Sequence, residues 1–277
     1  LPGNVDDPVL CPKNPGNLQY CGIRPDQKAG GNINLNPEKS KQWSIGTVIQ
    51  PLNWMAVTID LWDIKRDGII TELDGTAVIK NPETFPNSLI RDANGEIDYI
   101  QAGYVNADGD KLRGIDLALK MNGNLGTAKW DAGIEGTYMK SFKSRIFKRD
   151  TYTELVGEWY PRNLYVRWKH NAFVTYSEGN WSTTFSQRYT AGYKDERPSG
   201  VVPAGFVADV KPYTTYNLST SYSGFKDLSI NVILIDLFDR TPSFTAHNVD
   251  FAGGAGWDPR VASPLGRRLS VSANYKF

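Results

Sequence analysis

Alternation of apolar and polar residues is the strongest pattern in the chain, and it is clearest at the carboxyl terminus. From Leu269 to Phe277 every second residue is apolar, and the residues between them are polar. A period of two places the two sets on opposite faces of one β-strand. Strands of soluble proteins average about five or six residues, so this longer alternation favours a strand that crosses a membrane.

The same alternation recurs upstream and predicts nine strands in all. Trp130, Ala132 and Ile134 share one face of such a strand. Lys129 and Asp131 occupy its other face. No segment combines a helix cap with an amphipathic helical period, so we expect an all-β chain. The predicted strands are residues 41–50, 54–65, 111–121, 126–141, 164–177, 181–193, 214–223, 228–238 and 267–277.

Short and long connections alternate strictly between these strands. The short ones are turns rich in Gly and Asn, at residues 51–53, 122–124, 178–180 and 224–227. The long ones are polar segments near residues 66–110, 142–163, 194–213 and 239–266. Outer-membrane barrels sort their connections in this way, with short periplasmic turns and long extracellular loops. We therefore expect an antiparallel transmembrane β-barrel, to which the chain contributes about nine strands.

The composition permits a membrane barrel although it resembles that of a soluble protein. Hydrophobic residues make up only 40%, but a barrel strand needs apolar side chains at alternate positions alone. No run approaches the roughly 20 apolar residues that a membrane helix needs. Aromatic residues reach 12%, which fits interfacial girdles. Those that fall near a short turn or the terminus are Trp54, Tyr176, Trp181, Tyr222 and Phe277.

Charge and cysteine content narrow the partners and the compartment. A net charge of +1 gives no reason to expect a nucleic-acid partner. Cys11 and Cys21 lie in a stretch rich in Pro, Gly and Asn, far from both His170 and His247. This placement favours a disulfide in an oxidising compartment over a zinc site. Two unrelated free thiols remain the alternative.

No arrangement typical of catalysis or phosphate binding is found, so we expect neither an enzyme nor a cofactor. Residues 106–110 are acidic, but Gly109 is misplaced for a calcium loop. We interpret them as the tip of a hairpin between residues 99–105 and 111–115. Charged residues on the polar faces of the strands would line a solute path, contact a plug domain or simply be solvated. We call this side of the sheet the wet face, and its expected charged residues are Asp60, Asp116, Lys129, Asp131, Glu135, Arg167 and Lys169.

Four local sequences resemble those of the TonB-dependent receptors, and they occur in the family's order and near its spacing from residue 34 to the end. Asp236 departs from the pattern, because the family usually has Asn there. The four are N-L-N-P-E-K-S-K-Q-W-S-I-G from Asn34 to Gly46, R-G-I-D from Arg113 to Asp116, I-D-L-F-D-R-T-P from Ile235 to Pro242, and Gly266-Arg267-Arg268 with the terminal strand that ends Tyr275-Lys276-Phe277.

The resemblance implies a barrel of about 22 strands with a plugged lumen, of which this chain would supply the last nine. Residues 1–40 would form an extracellular loop with the disulfide, and residues 41–277 would be the C-terminal barrel strands. The N-terminal plug and the earlier strands would lie outside this chain. Phe277 and Tyr275 would form the terminal signal that outer-membrane assembly machinery recognises.

The resemblance also implies active uptake across the bacterial outer membrane. A scarce small-molecule ligand, by default a ferric siderophore, would bind the loops, and a TonB complex would act through the missing plug. The other partners would be outer-membrane lipid and the remainder of the barrel. The alternatives are a passive porin or structural barrel and a soluble all-β binding protein. Long loops carry the aromatic residues that we expect to contact the ligand, namely Tyr104, Trp159, Tyr160 and Trp257.

Overall fold

The computed structural model describes residues 4–73, 75–85, 87–147, 150–160, 164–196, 207–246 and 256–277, so His247 lies outside the described residues. Within these ranges no helix has the length and apolar character needed to span a bilayer. In chain order the elements are β1 (Asp26–Gly30), β2 (Lys39–Leu52), β3 (Met55–Asp67), β4 (Ile70–Leu73), α1 (Gly75–Ile79), β5 (Leu89–Arg91), β6 (Ile97–Asn106), β7 (Gly109–Leu125), β8 (Ala128–Arg145), β9 (Thr153–Glu154), β10 (Trp168–Glu178), β11 (Trp181–Thr190), β12 (Tyr193–Lys194), β13 (Asp209–Val210), β14 (Tyr213–Phe225), β15 (Leu228–Ile235) and β16 (Arg268–Tyr275).

Nine long strands form one sheet, in the order β16-β15-β14-β11-β10-β8-β7-β3-β2, and the short β9 pairs with β8. The neighbours from β8 to β16 pair antiparallel in an unbroken up-and-down series. Each long strand overlaps one of the nine predicted strands, with ends that agree to within four residues. The all-β antiparallel prediction is confirmed. A β-strand is the regular structure in which a period of two places all apolar residues on one face.

Large apolar side chains are exposed along one face of this sheet. On β16 the exposed fractions are 66% for Leu269, 64% for Val271 and 58% for Tyr275. Val174 on β10 and Phe185 on β11 are exposed as well. A soluble protein would cover such a face, because contiguous apolar area in contact with water is unfavourable. The wall of a membrane barrel leaves the same face open to lipid.

The turn between β7 and β8 differs from the prediction. We expected it at residues 122–124, but β7 continues to Leu125, and the turn lies at Gly126 and Thr127. Gly126 has φ +64°, which a tight hairpin turn needs and which glycine adopts without strain. Gly123 stays in the strand because the Trp130 ring covers it; a Cβ there would lie 2.8 Å from the indole nitrogen.

The chain divides into two compact units. Unit 1 comprises Leu1–Lys41, Lys65–Asp110 and Arg145–Thr151, and unit 2 comprises Gln42–Ile64, Lys111–Ser144 and Tyr152–Phe277. Unit 1 has a sheet of its own, in which β6 pairs with β1 in parallel and with β4 and β5 antiparallel. A buried core lies within unit 1, formed by Val5, Leu73, Val78, Ile79 and Ile100.

Unit 1 corrects the interpretation of residues 106–110 as a hairpin tip. β6 belongs to the small sheet and β7 to the large one, so the two strands do not pair with each other. Gly109 begins β7 at a close approach of two backbones, since a Cβ there would lie 2.1 Å from the carbonyl oxygen of Arg66. Gly109 is therefore required for this close approach to the backbone of Arg66 and not for a turn.

A disulfide and a buried ion pair stabilise the amino-terminal part of unit 1. Cys11 and Cys21 form the predicted disulfide. Asp7, whose side chain is 1% exposed, accepts hydrogen bonds from both terminal nitrogens of Arg91, at 2.7 and 2.9 Å. Its Oδ1 also accepts from the backbone N–H groups of Val9 and Leu10. The carboxylate therefore joins the segment before the disulfide to β5.

Candidate functional site

The polar face of the large sheet in unit 2 forms a concave wall. A cavity of about 1050 Å³ lies against it. The face is polar because the residues that alternate with the lipid-facing set point into it; on β10 these include Lys169 and Asn171. Residues 259–263 of the connection between β15 and β16 also line the cavity. The site is thus a wet pocket between barrel strands and an ordered loop.

Side chains of both charge signs line this cavity, as we expected of the wet face. Asp60, Asp116, Glu135 and Lys169 from the predicted set all line it. The additional cations and the additional acid, which the sequence reasoning missed, are Arg188, Arg260, Arg268 and Asp236. Lys129 and Asp131, which the prediction also placed there, do not line the cavity.

Arg167 corrects the predicted set of wet-face charges. It precedes β10, and its guanidinium donates to the carbonyl oxygens of Met139 and Lys140, at 3.1 and 2.8 Å. Its carbon lies 6.0 Å from the centroid of the Tyr138 ring, on the apolar face. The backbone of Arg167 still pairs with β8, since the N–H of Met139 donates to its carbonyl oxygen at 3.0 Å. Its side chain turns to carbonyl groups of β8 and does not line the cavity.

Arg260 anchors the loop that lines the cavity. It binds Asp258 through Nε and a terminal nitrogen, and the Asp258 side chain is fully buried. A second terminal nitrogen donates to the carbonyl oxygen of Tyr160, at 3.0 Å. A guanidinium held by two groups in this way fixes both loops relative to each other. The loop wall of the site is therefore ordered by an ion pair at its centre.

A small buried cluster supports the same loops. Leu164, Val166, Tyr193 and Val210 are its buried members, and Trp159 packs against them. Burial raises the pKa of Tyr193 to about 12, although a hydrogen bond with Thr245 opposes the shift. The hydroxyl therefore stays protonated at every physiological pH and serves as a fixed hydrogen-bonding group.

The four residues predicted to contact ligand separate into two groups. Trp159, Tyr160 and Trp257 all belong to loops of unit 2, and each is partly buried. Trp159 packs against the cluster of Leu164, Val166, Tyr193 and Val210. Tyr104 belongs to β6 of unit 1 and is 46% exposed. Its carbonyl oxygen accepts from the Asn32 side chain. Contact of these four residues with a ligand remains a prediction.

One group of side chains has the spacing of a metal site, but its chemistry is wrong. Within the described ranges, potential ligand atoms of Asp6, Cys11 and Cys21 are the set that lies within 4.8 Å of one another. The two sulfur atoms are joined in the disulfide, so neither is available as a thiolate ligand. Asp6 alone does not make a metal site.

Comparison with protein families identifies the family of this chain. The model described as TonB dependent receptor-like, beta-barrel matches residues 13–235. The chain belongs to this family. This membership places the chain in a β-barrel of the bacterial outer membrane, in a family of transporters and receptors and not of enzymes. Membership rules out the soluble all-β alternative.

Solved structures show the same fold. A mutant of the ferric enterobactin receptor from Pseudomonas aeruginosa aligns with a TM-score of 0.61 at 16% identity, over 90% of this chain and 32% of that one. The siderophore receptor PirA from Acinetobacter baumannii gives 0.58 at 17%, over 90% and 33%. The copper transporter OprC gives 0.53 at 17%, over 88% and 32%. The chain spans about a third of the length of these structures. Comparison with curated proteins found no match.

The family stretch around Asp236 builds the end of β15. Asp236 has φ +53° and Asp239 has φ +54°, a left-handed conformation that aspartate tolerates better than most residues. The N–H of Asp236 donates to Asn217 Oδ1, at 2.9 Å, and Asp236 Oδ2 accepts from the N–H of Arg240, at 3.0 Å. Asp236, which stands where the family usually has Asn, therefore still caps the end of the strand through Oδ2. Its Oδ1 is buried without a hydrogen-bond partner among the described residues.

The third and fourth family stretches meet through Asp239. Its Oδ1 accepts from the N–H of Arg267, at 2.8 Å. Gly266 makes this possible, since it has φ +60° and a Cβ there would lie 2.5 Å from the same oxygen. The contact joins the end of β15 to the start of β16 across a connection of about thirty residues.

We expect Asp239→Ala to weaken this closure by about 1–2 kcal/mol, because it removes the acceptor and puts alanine in a left-handed conformation. Asp239→Asn keeps an acceptor and tolerates the same φ, so it should change stability by less than half as much. Hydrogen exchange of the Arg267 amide in the full-length receptor measures the effect. Equal exchange in both variants would contradict the assigned contact.

The first family stretch is held by Asn106 within unit 1. Its Oδ1 accepts from the N–H of Asn36, and its Nδ2 donates to the carbonyl oxygens of Asn36 and Gly68, each at 2.8 Å. Glu38 accepts from the N–H of Ile70, at 2.8 Å. The Asn106 side chain thus provides hydrogen-bond partners for backbone groups just before β2.

Proposed function

We propose that the receptor imports a scarce ligand by TonB-dependent active transport, and that the ligand is a ferric siderophore. The observation that carries the proposal is a polar cavity between the strands and an ion-paired loop, in a chain of the TonB-dependent family. A passive porin would not account for the match to this family. The active process also needs a plug and a TonB complex.

We propose the following organisation of the longer protein. Residues 1–40 lie outside the cell, and residues 41–277 supply the C-terminal strands of the barrel. The plug and the earlier strands come from the remainder of a receptor, since the solved relatives are about three times as long. Phe277, whose ring contacts that of Tyr275 at 5.1 Å between centroids, provides the assembly signal at the exposed end of β16.

Several cations of the cavity are available for an anionic ligand, and acidic residues such as Asp60 and Glu135 line it as well. Within the described part of the chain, Lys169 and Arg268 form no ion pair, and Arg188 has only a 3.3 Å hydrogen bond to Asn171. Cations that are not already paired are available to bind oxygen anions. Three solved relatives are a ferric enterobactin receptor, a siderophore receptor and an iron transporter. Saccharides, peptides and cobalamin are the other ligands to be tested.

Uptake of radioactive iron by cells that carry or lack the complete receptor gene tests the proposal. We expect saturable uptake of ferric siderophore that disappears when TonB is deleted. Uptake that rises linearly with concentration and survives the deletion would support a passive porin instead. Saturable, TonB-dependent uptake of a saccharide, peptide or cobalamin would retain the mechanism and replace the ligand.

Arg188→Ala should weaken binding of the siderophore about tenfold or more, because a charge-assisted hydrogen bond contributes about 1.5–3 kcal/mol. Lys129→Ala is the matched control, since it removes a cation from the same wet face at a position that does not line the cavity. Binding to the purified full-length receptor measures both. Equal affinities for the two variants would remove Arg188 from the ligand site.

A further inference from the structure

The hairpin between β5 and β6 in unit 1 ends in an Asn-Gly pair. The N–H of Asp92 donates to the carbonyl oxygen of Glu96, at 2.9 Å, so residues 93–95 form the loop of the hairpin. Asn94 is exposed in this loop. Gly95 has φ +82°, a left-handed conformation that glycine adopts without strain. An exposed asparagine is thus followed by a residue that has no side chain.

An asparagine in this position can lose its side-chain amide in water. The backbone nitrogen of Gly95 attacks Cγ of Asn94, so that a new C–N bond forms and the bond from Cγ to Nδ2 breaks. The proton of the Gly95 N–H passes to solvent, and the Nδ2 group takes a proton from solvent and leaves as ammonia. Water then opens the five-membered succinimide ring at either carbonyl carbon, which gives aspartate or isoaspartate. A Cβ on the following residue would hinder the attack, and glycine has none.

The chain contains a second Asn-Gly pair, which differs in its backbone and not in its exposure. Asn122 and Gly123 belong to β7, and the Asn122 side chain is exposed like that of Asn94. The N–H of Asn122 donates to the carbonyl oxygen of Trp54, at 3.0 Å, and the Trp130 ring covers Gly123. The attack requires the strand to leave its ladder, so it waits for local opening. Asn94 needs no strand to open.

Asp92 forms the hydrogen bonds that restrain the loop. Its carbonyl oxygen accepts from the N–H of Gly95, at 3.1 Å. Its carboxylate accepts from the N–H and from Nδ2 of Asn94, at 2.9 and 3.3 Å. These bonds lie at an exposed hairpin tip, where water replaces them at little cost in free energy. The restraint is therefore weaker than that of a ladder between two long strands.

The loop also contacts the ion pair that joins β5 to the amino-terminal segment. The carbonyl oxygen of Gly95 accepts from Nη1 of Arg91, at 2.8 Å. The same nitrogen donates to the carboxylate of Asp7, at 2.7 Å. The position of the Gly95 carbonyl therefore helps to orient the guanidinium that Asp7 binds.

We propose that Asn94 is a site of spontaneous deamidation, and that isoaspartate formed there loosens the contact between Arg91 and Asp7. In isoaspartate the main chain runs through Cβ and Cγ, so the loop becomes longer by a methylene group. The lengthened loop displaces the Gly95 carbonyl from Arg91. The modification also adds a carboxylate to a hairpin end that already carries two, and like charges repel. Unit 1 thereby loses stability with the age of the protein.

Ageing of the purified full-length receptor at mildly alkaline pH, in water labelled with heavy oxygen, tests the modification. Mass spectrometry of peptides measures the label at Asn94 and at Asn122, and fragmentation separates isoaspartate from aspartate. We expect Asn94 to react about tenfold faster than Asn122 or more, because the opening of a long strand is rare. Asn94→Gln should abolish labelling at residue 94 and leave Asn122 as the internal reference. Equal rates at the two asparagines, or faster reaction at Asn122, would overturn the proposal.

Hydrogen exchange of the buried Ile100 amide in β6 tests the structural consequence. After ageing, the isoaspartate form should exchange about tenfold faster than the fresh receptor, whereas aged Asn94→Gln should not change. Asn94→Asp is the matched control, because it adds the same charge without lengthening the main chain, and it should exchange nearly as the fresh wild type does. Unchanged exchange in the isoaspartate form would overturn the link to Arg91, as would equal acceleration in Asn94→Asp. Neither readout involves a transported ligand, so the result is independent of the uptake experiment.

Discussion

Replacing Arg91 with alanine is expected to destabilise unit 1 by about 3 kcal/mol. The change leaves the carboxylate of Asp7, 1% exposed, without its cation, and loss of one partner from a buried ion pair costs about 3–5 kcal/mol. The lower value applies here because Asp7 keeps its bonds from Val9 and Leu10. Hydrogen exchange of the buried Ile100 amide in β6 should accelerate about a hundredfold.

Arg24→Ala provides the control for this prediction. Arg24 is exposed and belongs to the same unit, and among the described residues it donates to Asn4 alone. Loss of an exposed contact of this kind is expected to change exchange at Ile100 by less than a factor of about five. If both variants exchange alike, the ion pair between Asp7 and Arg91 does not stabilise the unit.

The pH dependence of the same pair has a defined sign. Burial by itself would raise the pKa of Asp7, but the hydrogen bonds from Arg91 and from the N–H groups of Leu10 and Val9 outweigh it and lower the pKa. A lowered pKa means that the stabilisation is complete above the unfolded value of about 3.9 and disappears as the pH falls through the folded value. The difference between wild type and Asp7→Asn should therefore be constant from pH 5 to 8 and shrink below about pH 4.

Gly114→Val is the second change for which we expect a large effect. A Cβ at Gly114 would lie 2.1 Å from the Trp62 ring, on neighbouring strands of the barrel wall. Valine must displace the ring or separate β3 from β7, and overpacking of this kind costs about 1–3 kcal/mol or more. We expect less folded receptor in the outer membrane, measured as the heat-resistant folded band in electrophoresis.

Two further variants make this prediction specific. Gly30→Val is the matched control, because a Cβ at Gly30 meets nothing within 4 Å, so folding should be close to that of the wild type. Adding Trp62→Ala to Gly114→Val should restore part of the loss, since it removes the ring that the valine meets. Absence of any rescue would show that the glycine is needed for a reason other than the tryptophan.

The glycine of the R-G-I-D stretch shows what resemblance adds and what it omits. The pattern marks Gly114 without saying why glycine is needed. The reason is a side chain on another strand, Trp62, about fifty residues earlier in the chain. Gly123 and Trp130 repeat the arrangement one strand later. A local pattern cannot identify such a pair, because the contact depends on the register between strands.

Unit 1 is the largest part of the fold that the sequence did not predict. Its strands β4, β5 and β6 lie in a segment that we interpreted as a long polar link. β4 and β5 have only four and three residues, and both pair with β6. The segment therefore lacks the extended alternation of the membrane strands. Their stability comes from a shared buried core and from the bond between Asp7 and Arg91, which join segments far apart in the chain.

The chain's own residues determined the nine membrane strands, their alternating faces and the order of short and long connections. Each of these depends on a period of two within about ten residues, and hydrophobic burial in lipid enforces that period locally. Only the tertiary structure decided which cations remain unpaired, where the loops close over the cavity and why particular glycines are required. Those properties depend on distances between residues on different strands, which local periodicity does not contain.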